Sequence, residues 1–301
     1  MGRLQGLIAA PHSPMTAEGE LDLPVIDRIA EKLVGDGVRG VFPCGTTGEF
    51  SSLSVRERQA IGQRWVDAAG DQLDVAIHVG STALPEARAL AAHAQGIGAA
   101  AIGCISPYFL RPAQVDDLVG FCQAVASAAP NLPFYYYHLP ILSGVHFPVA
   151  EFLSGAVDRI PTLAGVKYSH TDLADLSACT RFRDGKYSAL FGCDQMLLSG
   201  WLCGCDGAIG STYCLIAPLY RRLLDCVERG DLETARSLQG KSVDICRVFD
   251  RYGGSRAIKA AMAFVGVDCG PPRSPLRALT RAEIEPMHAE LEEIGFPNFG
   301  T

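Results

Sequence analysis

Short apolar runs alternate with longer amphipathic stretches along the chain as far as about residue 210. The short runs are apolar throughout, which is typical of parallel strands that are covered by protein on both faces. They predict eight strands, at Gly6–Ala10, Gly40–Pro43, Asp74–Val79, Ala99–Ile105, Leu132–Tyr137, Leu163–Lys167, Ser188–Phe191 and Ala208–Gly210.

The stretches between these strands have helical periodicity and helix start signals. Ser54-x-x-Glu57 has the pattern of a capping box, and Pro24, Pro85 and Pro112 each stand at or near a predicted first helical position, where proline is tolerated. The predicted helices are Pro24–Val34, Val55–Ala69, Pro85–Ile97, Pro112–Ala128, Phe147–Val157, Leu173–Arg181 and Gln195–Cys203.

Eight strand–helix alternations in about 210 residues predict an α/β fold, and they favour a closed (β/α)8 TIM barrel over a doubly wound open sheet. Four more helical patterns follow the last strand, which is more than one barrel helix requires. We therefore expect a single domain over residues 1–301, with the barrel in 1–228 and a C-terminal helical extension in 229–301. The late helical patterns are Ile216–Arg229, Leu232–Phe249, Arg256–Val265 and Arg281–Ile294.

The composition of the chain indicates which classes of binding partner are unfavourable. With 301 residues, 48% of them apolar, the chain can bury a large core, and its net charge of −7 argues against a nucleic acid or an anionic membrane as partner. We see no run of about 18 apolar residues and no secretory signal pattern. The eleven cysteines are an odd number and are widely spread. We interpret them as reduced, buried residues of a cytoplasmic protein.

Lys167 is the strongest candidate for a catalytic residue. It ends a predicted strand, and the active-site groups of such barrels lie where strands end. It is one of only five lysines in the chain and the only one that ends an apolar strand. An exposed lysine has a pKa of about 10.4 and is a poor nucleophile at neutral pH. Burial lowers that pKa and frees the amine to attack a carbonyl. A structural lysine that pairs with a carboxylate or reaches solvent is the alternative.

Tyr137 ends the strand before that of Lys167, so its phenol is placed to donate and accept protons beside the amine. Alternation along the strand puts Tyr135 and Tyr137 on one face and Tyr136 on the other. An aromatic layer of the core is the alternative reading of these tyrosines.

Gly45-Thr46-Thr47-Gly48 follows the second predicted strand. Its two hydroxyls and exposed backbone N–H groups suit a carboxylate, although an ordinary turn between strand and helix would have the same composition. The seven histidines show no His-Glu-x-x-His pattern, and we expect no metal site.

Four blocks together resemble the dihydrodipicolinate synthase and N-acetylneuraminate lyase superfamily, over nearly the whole chain. They are Gly45–Glu49, Tyr137 with His138–Pro140, Gly165–Lys167 and Gly207–Tyr213. The resemblance implies a class I aldolase or lyase that works without a metal or organic cofactor. It also implies a homotetramer that acts on a small 2-keto acid.

The chain is most similar to the lyase branch, particularly its animal-type members, through the blocks 134–144, 160–167 and 169–172. Leu142 stands where the synthases place an arginine that binds a second carboxylate. The resemblance therefore implies retro-aldol cleavage of N-acetylneuraminate to pyruvate and N-acetylmannosamine. Carried over position by position, Lys167 forms the Schiff base, Tyr137 is the acid and base, and Thr46 and Thr47 hold the pyruvyl carboxylate. The residues implied to line the polyhydroxyl end are Ser169, Gly192, Asp194, Gln195, Gly210 and Ser211.

Some positions depart from the lyase pattern. Gln195 replaces a glutamate, and Cys44 and Cys214 replace asparagines of the animal-type lyases. Phe109 stands where many bacterial relatives place a tyrosine that reaches a neighbouring subunit. These departures leave open a pyruvate aldolase that acts on another 2-keto-3-deoxy acid. A non-catalytic barrel that serves as a binding or scaffold protein is the alternative from another class.

Overall fold

The computed structural model describes residues 3–298 and contains a closed barrel of eight parallel strands in chain order, which confirms the predicted fold class. Strand β1 pairs with both β2 and β8, so the sheet has no free edge. Each predicted strand is present with its ends within two residues of the prediction. The strands are β1 (Gly6–Ala9), β2 (Gly40–Val41), β3 (Asp74–His78), β4 (Ala101–Ile105), β5 (Phe134–His138), β6 (Leu163–Tyr168), β7 (Ser188–Phe191) and β8 (Gly207–Gly210).

Helices connect the strands around the outside of the barrel. Helix α2 begins at the predicted capping box, in which Ser54 and Glu57 exchange side-chain and backbone hydrogen bonds. The short helix α5 follows β5 directly and was not predicted, because four residues show no periodicity. The helices up to the end of the barrel are α1 (Val25–Gly35), α2 (Val55–Ala69), α3 (Leu84–Gly96), α4 (Val115–Ala126), α5 (Pro140–Ser143), α6 (Val149–Ala156), α7 (Leu173–Arg181), α8 (Leu197–Leu202) and α9 (Tyr213–Glu228).

Two predicted helix starts were wrong. Helix α4 begins three residues after Pro112, because Gln114 is still extended (φ −147°, ψ 164°). Helix α9 begins three residues before Ile216, which is itself non-helical (φ −133°, ψ 35°) and forms a kink two residues before Pro218. Proline in a helix removes a backbone donor and clashes with the preceding turn, so the chain bends there and continues.

Up to residue 298, three helices follow the barrel, namely α10 (Leu232–Arg251), α11 (Ser255–Ala261) and α12 (Arg281–Ile294). Helix α10 packs against α9, α12 and the short 3₁₀ turn at Asp194–Met196 that follows β7. This packing brings the C-terminal helices to the mouth of the barrel. In the described part of the chain, no helix has the length and apolarity that a membrane span requires.

The core has two layers, and the three consecutive tyrosines of β5 divide between them. Tyr135 and Tyr137 face the barrel interior, whereas Tyr136 faces the helices and stacks on Phe152 with ring centroids 4.3 Å apart. The predicted alternation is therefore confirmed. The Tyr135 hydroxyl accepts a hydrogen bond from the Leu4 backbone at 3.0 Å. Tyr137 lies further along the strand, toward the carboxyl ends, where the candidate site residues are found.

Candidate active site

The sequence-predicted site residues meet at the carboxyl ends of the barrel strands. Tyr137 on β5 is the register partner of Lys167 on β6. The Tyr137 hydroxyl lies 3.2 Å from Thr46 Oγ1, in the turn that follows β2. Thr47 is half-buried in the same turn. Parallel strands in a closed barrel thus bring together residues that are up to 121 positions apart in the chain, from Thr46 to Lys167.

The Lys167 side chain is buried, with 4% of its surface exposed. Its Nζ lies 4.2 Å from the ring centroid of Phe42 and 4.1 Å from that of Tyr137. Within the described residues, Lys32 and Lys259 form ion pairs with carboxylates and Lys167 does not. Burial lowers the pKa of Lys167 to about 7, while the Asp194 carboxylate raises it. A substantial fraction of this amine is therefore neutral near pH 7.

The Tyr137 phenol remains protonated at the pH at which the Lys167 amine is partly neutral. Burial raises the pKa of Tyr137 to about 12. Hydrogen bonds with the hydroxyls of Thr46 and Ser169 oppose this shift. The rings of Phe42 and His78 make edge-on contacts with the Tyr137 ring, and each ring centroid lies 5.8 Å from that of Tyr137. A protonated phenol beside a neutral amine is suited to donate a proton to an oxygen that leaves a nearby carbon.

Phe42 is a site residue that the sequence analysis missed. Its ring is 1% exposed and forms one wall around the Lys167 amine. Space for the ring depends on Gly103 of β4, where an added Cβ would lie 2.5 Å from the ring. An apolar residue at the end of a short strand gives no local signal that it borders a reactive group.

Asp194 is buried in the 3₁₀ turn after β7, and its position is fixed by hydrogen bonds from Thr212. The Asp194 Oδ2 atom accepts from the Thr212 backbone at 2.9 Å and from its hydroxyl at 2.6 Å. The same hydroxyl lies 2.7 Å from the Tyr220 phenol, which lies 2.9 Å from Ser242 Oγ on α10. Burial raises the pKa of Asp194, and the hydrogen bonds from Thr212 oppose that shift. Thr212 and Tyr220 were also missed, because no local pattern links them to residue 194.

Two cavities meet at Gly192 and Gln195. One lies between the barrel mouth and the C-terminal helices, and the other lies beside the segments that follow β5 and β6. The first is lined by Gly192, Asp194, Gln195, Ser211, Thr212, Cys246, Phe249, Asp250 and Ile258. The second contains Ser169, His146 and His170. Together they offer hydroxyl, amide and carboxylate groups to a polar molecule.

Two glycines keep this region open. A Cβ at Gly192 would lie 2.0 Å from Ser169 Oγ, and one at Gly210 would lie 2.2 Å from Asp194 Oδ1. Any side chain at either position would displace a polar group that borders the cavities. The two predicted glycines therefore leave space beside Ser169 and Asp194, which line the cavities.

Comparison with known proteins finds relatives over nearly the whole chain. The model of the dihydrodipicolinate synthetase family matches residues 3–294. The N-acetylneuraminate lyases of Pongo abelii and Homo sapiens are each 42% identical to the chain over 302 aligned positions, which cover 99% of this chain and 94% of each lyase.

Solved structures give the same result. A Proteus mirabilis N-acetylneuraminate lyase is 41% identical with a TM-score of 0.95, over 98% of this chain and 100% of that one. A sialic acid aldolase from Ruminococcus gnavus, solved as a mutant of its catalytic lysine, is 27% identical with a TM-score of 0.92, over 97% of both chains.

The pKa of Lys167 leads to a prediction for its reaction with pyruvate. Only the neutral amine attacks a ketone, and its fraction grows as pH rises through a pKa of about 7. We therefore expect the rate of adduct formation on Lys167 to rise between pH 6 and 8 and then level off. Trapping with cyanoborohydride, followed by mass spectrometry, measures that rate.

Two variants test the cause of this pH dependence. Asp194→Asn should move the midpoint to lower pH, because the negative charge of Asp194 raises the pKa of Lys167. Asp250→Asn removes another carboxylate of the same cavity and should leave the midpoint in place. A midpoint near that of a free lysine, about 10.4, would contradict the assignment.

Proposed function

The chain belongs to the dihydrodipicolinate synthetase family, and we propose that it is a lyase that cleaves N-acetylneuraminate to pyruvate and N-acetylmannosamine. The observation that carries the proposal is the buried Lys167 amine, which has a lowered pKa and lies against the Tyr137 ring. Relatives with 42% identity have this activity in their names. The Ruminococcus gnavus aldolase, whose structure was solved with its catalytic lysine mutated, supports a catalytic role for a lysine in this fold.

In the first step, neutral Lys167 Nζ attacks the keto carbon of the open-chain sugar acid. Tyr137 donates its proton to the resulting carbinolamine oxygen, and water leaves as the protonated imine forms. The tyrosinate formed in this way is hydrogen-bonded by Thr46, 3.2 Å away. Such a covalent intermediate replaces one difficult bond cleavage with several easier steps.

In the second step, the Tyr137 oxygen takes the proton from the C4 hydroxyl and the C3–C4 bond breaks. The bonding electrons move into the iminium group, which gives an enamine on Lys167 and releases N-acetylmannosamine as an aldehyde. Protonation of the enamine at C3 and hydrolysis of the imine then release pyruvate. Tyr137 thus acts alternately as acid and base. This requires its hydroxyl to lie within hydrogen-bond distance of each oxygen with which it exchanges a proton.

Substrate binding divides between the two ends of the site. Thr46 and Thr47 hold the pyruvyl carboxylate with hydroxyls and backbone N–H groups. The remaining polar residues bind the polyhydroxyl chain along the two cavities. They are Ser169, Asp194, Gln195 and Ser211, with Gly192 and Gly210 leaving room.

The pocket beside Thr46 favours the lyase reaction over the synthase reaction of the same family. It is lined by Thr46, Phe50, Ser51, Ile105, Tyr108 and Leu142, none of which is charged. A substrate with a second carboxylate would lack a cation there, and an unpaired charge is costly to desolvate.

Gln195 supports a second candidate, a pyruvate aldolase for another 2-keto-3-deoxy acid. An amide hydrogen-bonds hydroxyls less strongly than a carboxylate does. Since Gln195 borders both cavities, its side chain is placed to influence which sugar acid fits. Comparing kcat/KM for N-acetylneuraminate and for shorter keto-deoxy acids separates the two candidates.

Replacing the nucleophile tests the proposed reaction. Lys167→Ala should reduce pyruvate release from N-acetylneuraminate by at least about a thousandfold, since it removes the covalent route. Lys186→Ala removes a lysine on the surface and should leave the rate unchanged. Wild-type protein that releases no pyruvate, or a Lys167→Ala variant that retains its rate, would overturn the proposal.

Replacing the amide of Gln195 by a carboxylate tests its contact with the polyhydroxyl end of the substrate, which is called the tail below. Gln195→Glu should lower KM for N-acetylneuraminate several-fold and change kcat little, because the residue binds the tail in the ground and transition states alike. KM for pyruvate in the reverse reaction serves as the internal control. An unchanged KM for the sugar acid would show that residue 195 does not touch the tail.

We further propose that the protein is a cytoplasmic homotetramer. Eleven free cysteines support a reducing compartment. Phe109, Leu110, Ile141 and Leu142 follow the neighbouring strands β4 and β5 and are exposed by 83%, 84%, 83% and 60%. Exposed apolar side chains on adjacent loops are typical of an interface.

Light scattering coupled to size exclusion tests the assembly. We expect a mass of about four chains of 32.1 kDa for the wild type. Phe109→Asp should dissociate it, because a charge placed in an apolar interface must be desolvated. Arg281→Asp serves as control, because Arg281 is exposed and lies far in the sequence from Phe109 and Leu142. A monomeric wild type would contradict the proposal.

A further inference from the structure

The turn that presents Thr46 and Thr47 lies between two non-glycine residues with left-handed backbones. Cys44 has φ 56° and Glu49 has φ 57°. This conformation is uncommon for residues with a Cβ and persists where the surroundings fix it. Each end of the turn therefore requires an anchor, and the structure shows one at each.

The barrel supplies the anchor at Cys44. The Cys44 carbonyl lies 2.7 Å from His78 Nδ1. Arg58 is buried beside it and donates to the carbonyls of Gly80 at 2.8 Å and His78 at 2.7 Å. The first end of the turn is thus held by β3 and α2, which belong to the barrel itself.

The C-terminal region supplies the anchor at Glu49. Lys259 of α11 donates to Glu49 Oε1 at 2.7 Å, and the Arg273 backbone donates to Glu49 Oε2 at 2.7 Å. Glu49 and Lys259 are 6% and 1% exposed. Arg273 also donates from its guanidinium to the Ser52 carbonyl at 3.1 Å, just beyond the turn. Both oxygens of one carboxylate are therefore held from residues more than two hundred positions away.

We propose that Lys259 is a positioning residue, which sets the geometry of the carboxylate-binding turn through Glu49. The inference rests on the proposed function, since it assigns the pyruvyl carboxylate to Thr46 and Thr47. Lys259 itself pairs with Glu49 and acts only through it. A buried ion pair contributes little net stability compared with apolar residues of the same size. Its value here is that it fixes one position of the turn, on which the two hydroxyls depend.

The neighbourhood of Lys259 supports this pairing. His12 is buried beside it, and burial, aided by the Lys259 charge, lowers the pKa of His12 to about 3. The imidazole is therefore neutral, and His12 adds no positive charge beside the Glu49–Lys259 pair. Ser13, in the segment that follows β1, donates to the Gly48 carbonyl at 2.7 Å. This segment therefore also holds the turn, one residue before Glu49.

The experiment compares two probes that differ only in the carboxylate. Pyruvate and methyl pyruvate both form an imine with Lys167, but only pyruvate presents a charged carboxylate to the turn. In Lys259→Met, the pyruvate concentration for half-maximal cyanoborohydride trapping should rise about tenfold, since small misplacements of binding groups are costly. The value for methyl pyruvate should change less than about twofold, and Lys259→Arg should restore much of the pyruvate response.

Arg251→Gln is the matched control, because it breaks an ion pair between α10 and α12 without touching the turn. It should leave both probes unchanged. If Lys259→Met does not fold, Glu49→Gln replaces it, with the same expected difference between the probes. Equal weakening of both probes, or no weakening in a folded variant, would overturn the positioning role while leaving the lyase proposal intact. A wild type that traps neither probe would overturn both.

Discussion

The site depends on the burial of one amine without a directly paired carboxylate. Removing an ammonium group from water disfavours its charged form, and this effect lowers the pKa of Lys167 to about 7. Two influences work in the opposite direction. The Asp194 carboxylate raises the pKa, and the ring faces of Phe42 and Tyr137 attract the cation. The balance leaves an amine that is partly neutral near pH 7, as attack on a carbonyl requires.

The barrel makes this balance possible by distributing the groups over several strands. Tyr137 lies opposite Lys167 because β5 and β6 pair in register, whereas Asp194 is held back by Thr212 and a hydroxyl chain to α10. An Asp194 carboxylate free to approach Lys167 would form an ion pair and quench the nucleophile. The C-terminal helices thus help to fix the position of the carboxylate that raises the pKa of Lys167.

Much of this could be predicted from the sequence, where the signal was local. Apolar runs located all eight strands, alternation placed Tyr136 on the opposite face from Tyr137, and the strand-end rule selected Lys167. Long-range contacts could not be predicted in that way. The partners Asp194 with Thr212 and Glu49 with Lys259 are joined only by the closed fold. The start of α9 was misplaced because the kink before Pro218 depends on how its first turn packs. The roles of the individual site residues remain predictions.

The ionisation of Lys167 itself is the most direct test of the account. The chain has only five lysines, so ¹³C labelling at the lysine ε-carbon gives a simple NMR spectrum, and a Lys167→Arg variant identifies the signal. We expect a titration midpoint near pH 7 for that signal in the free protein. A midpoint near 10 would show that the amine is solvated or paired, and the enzymatic interpretation would fail.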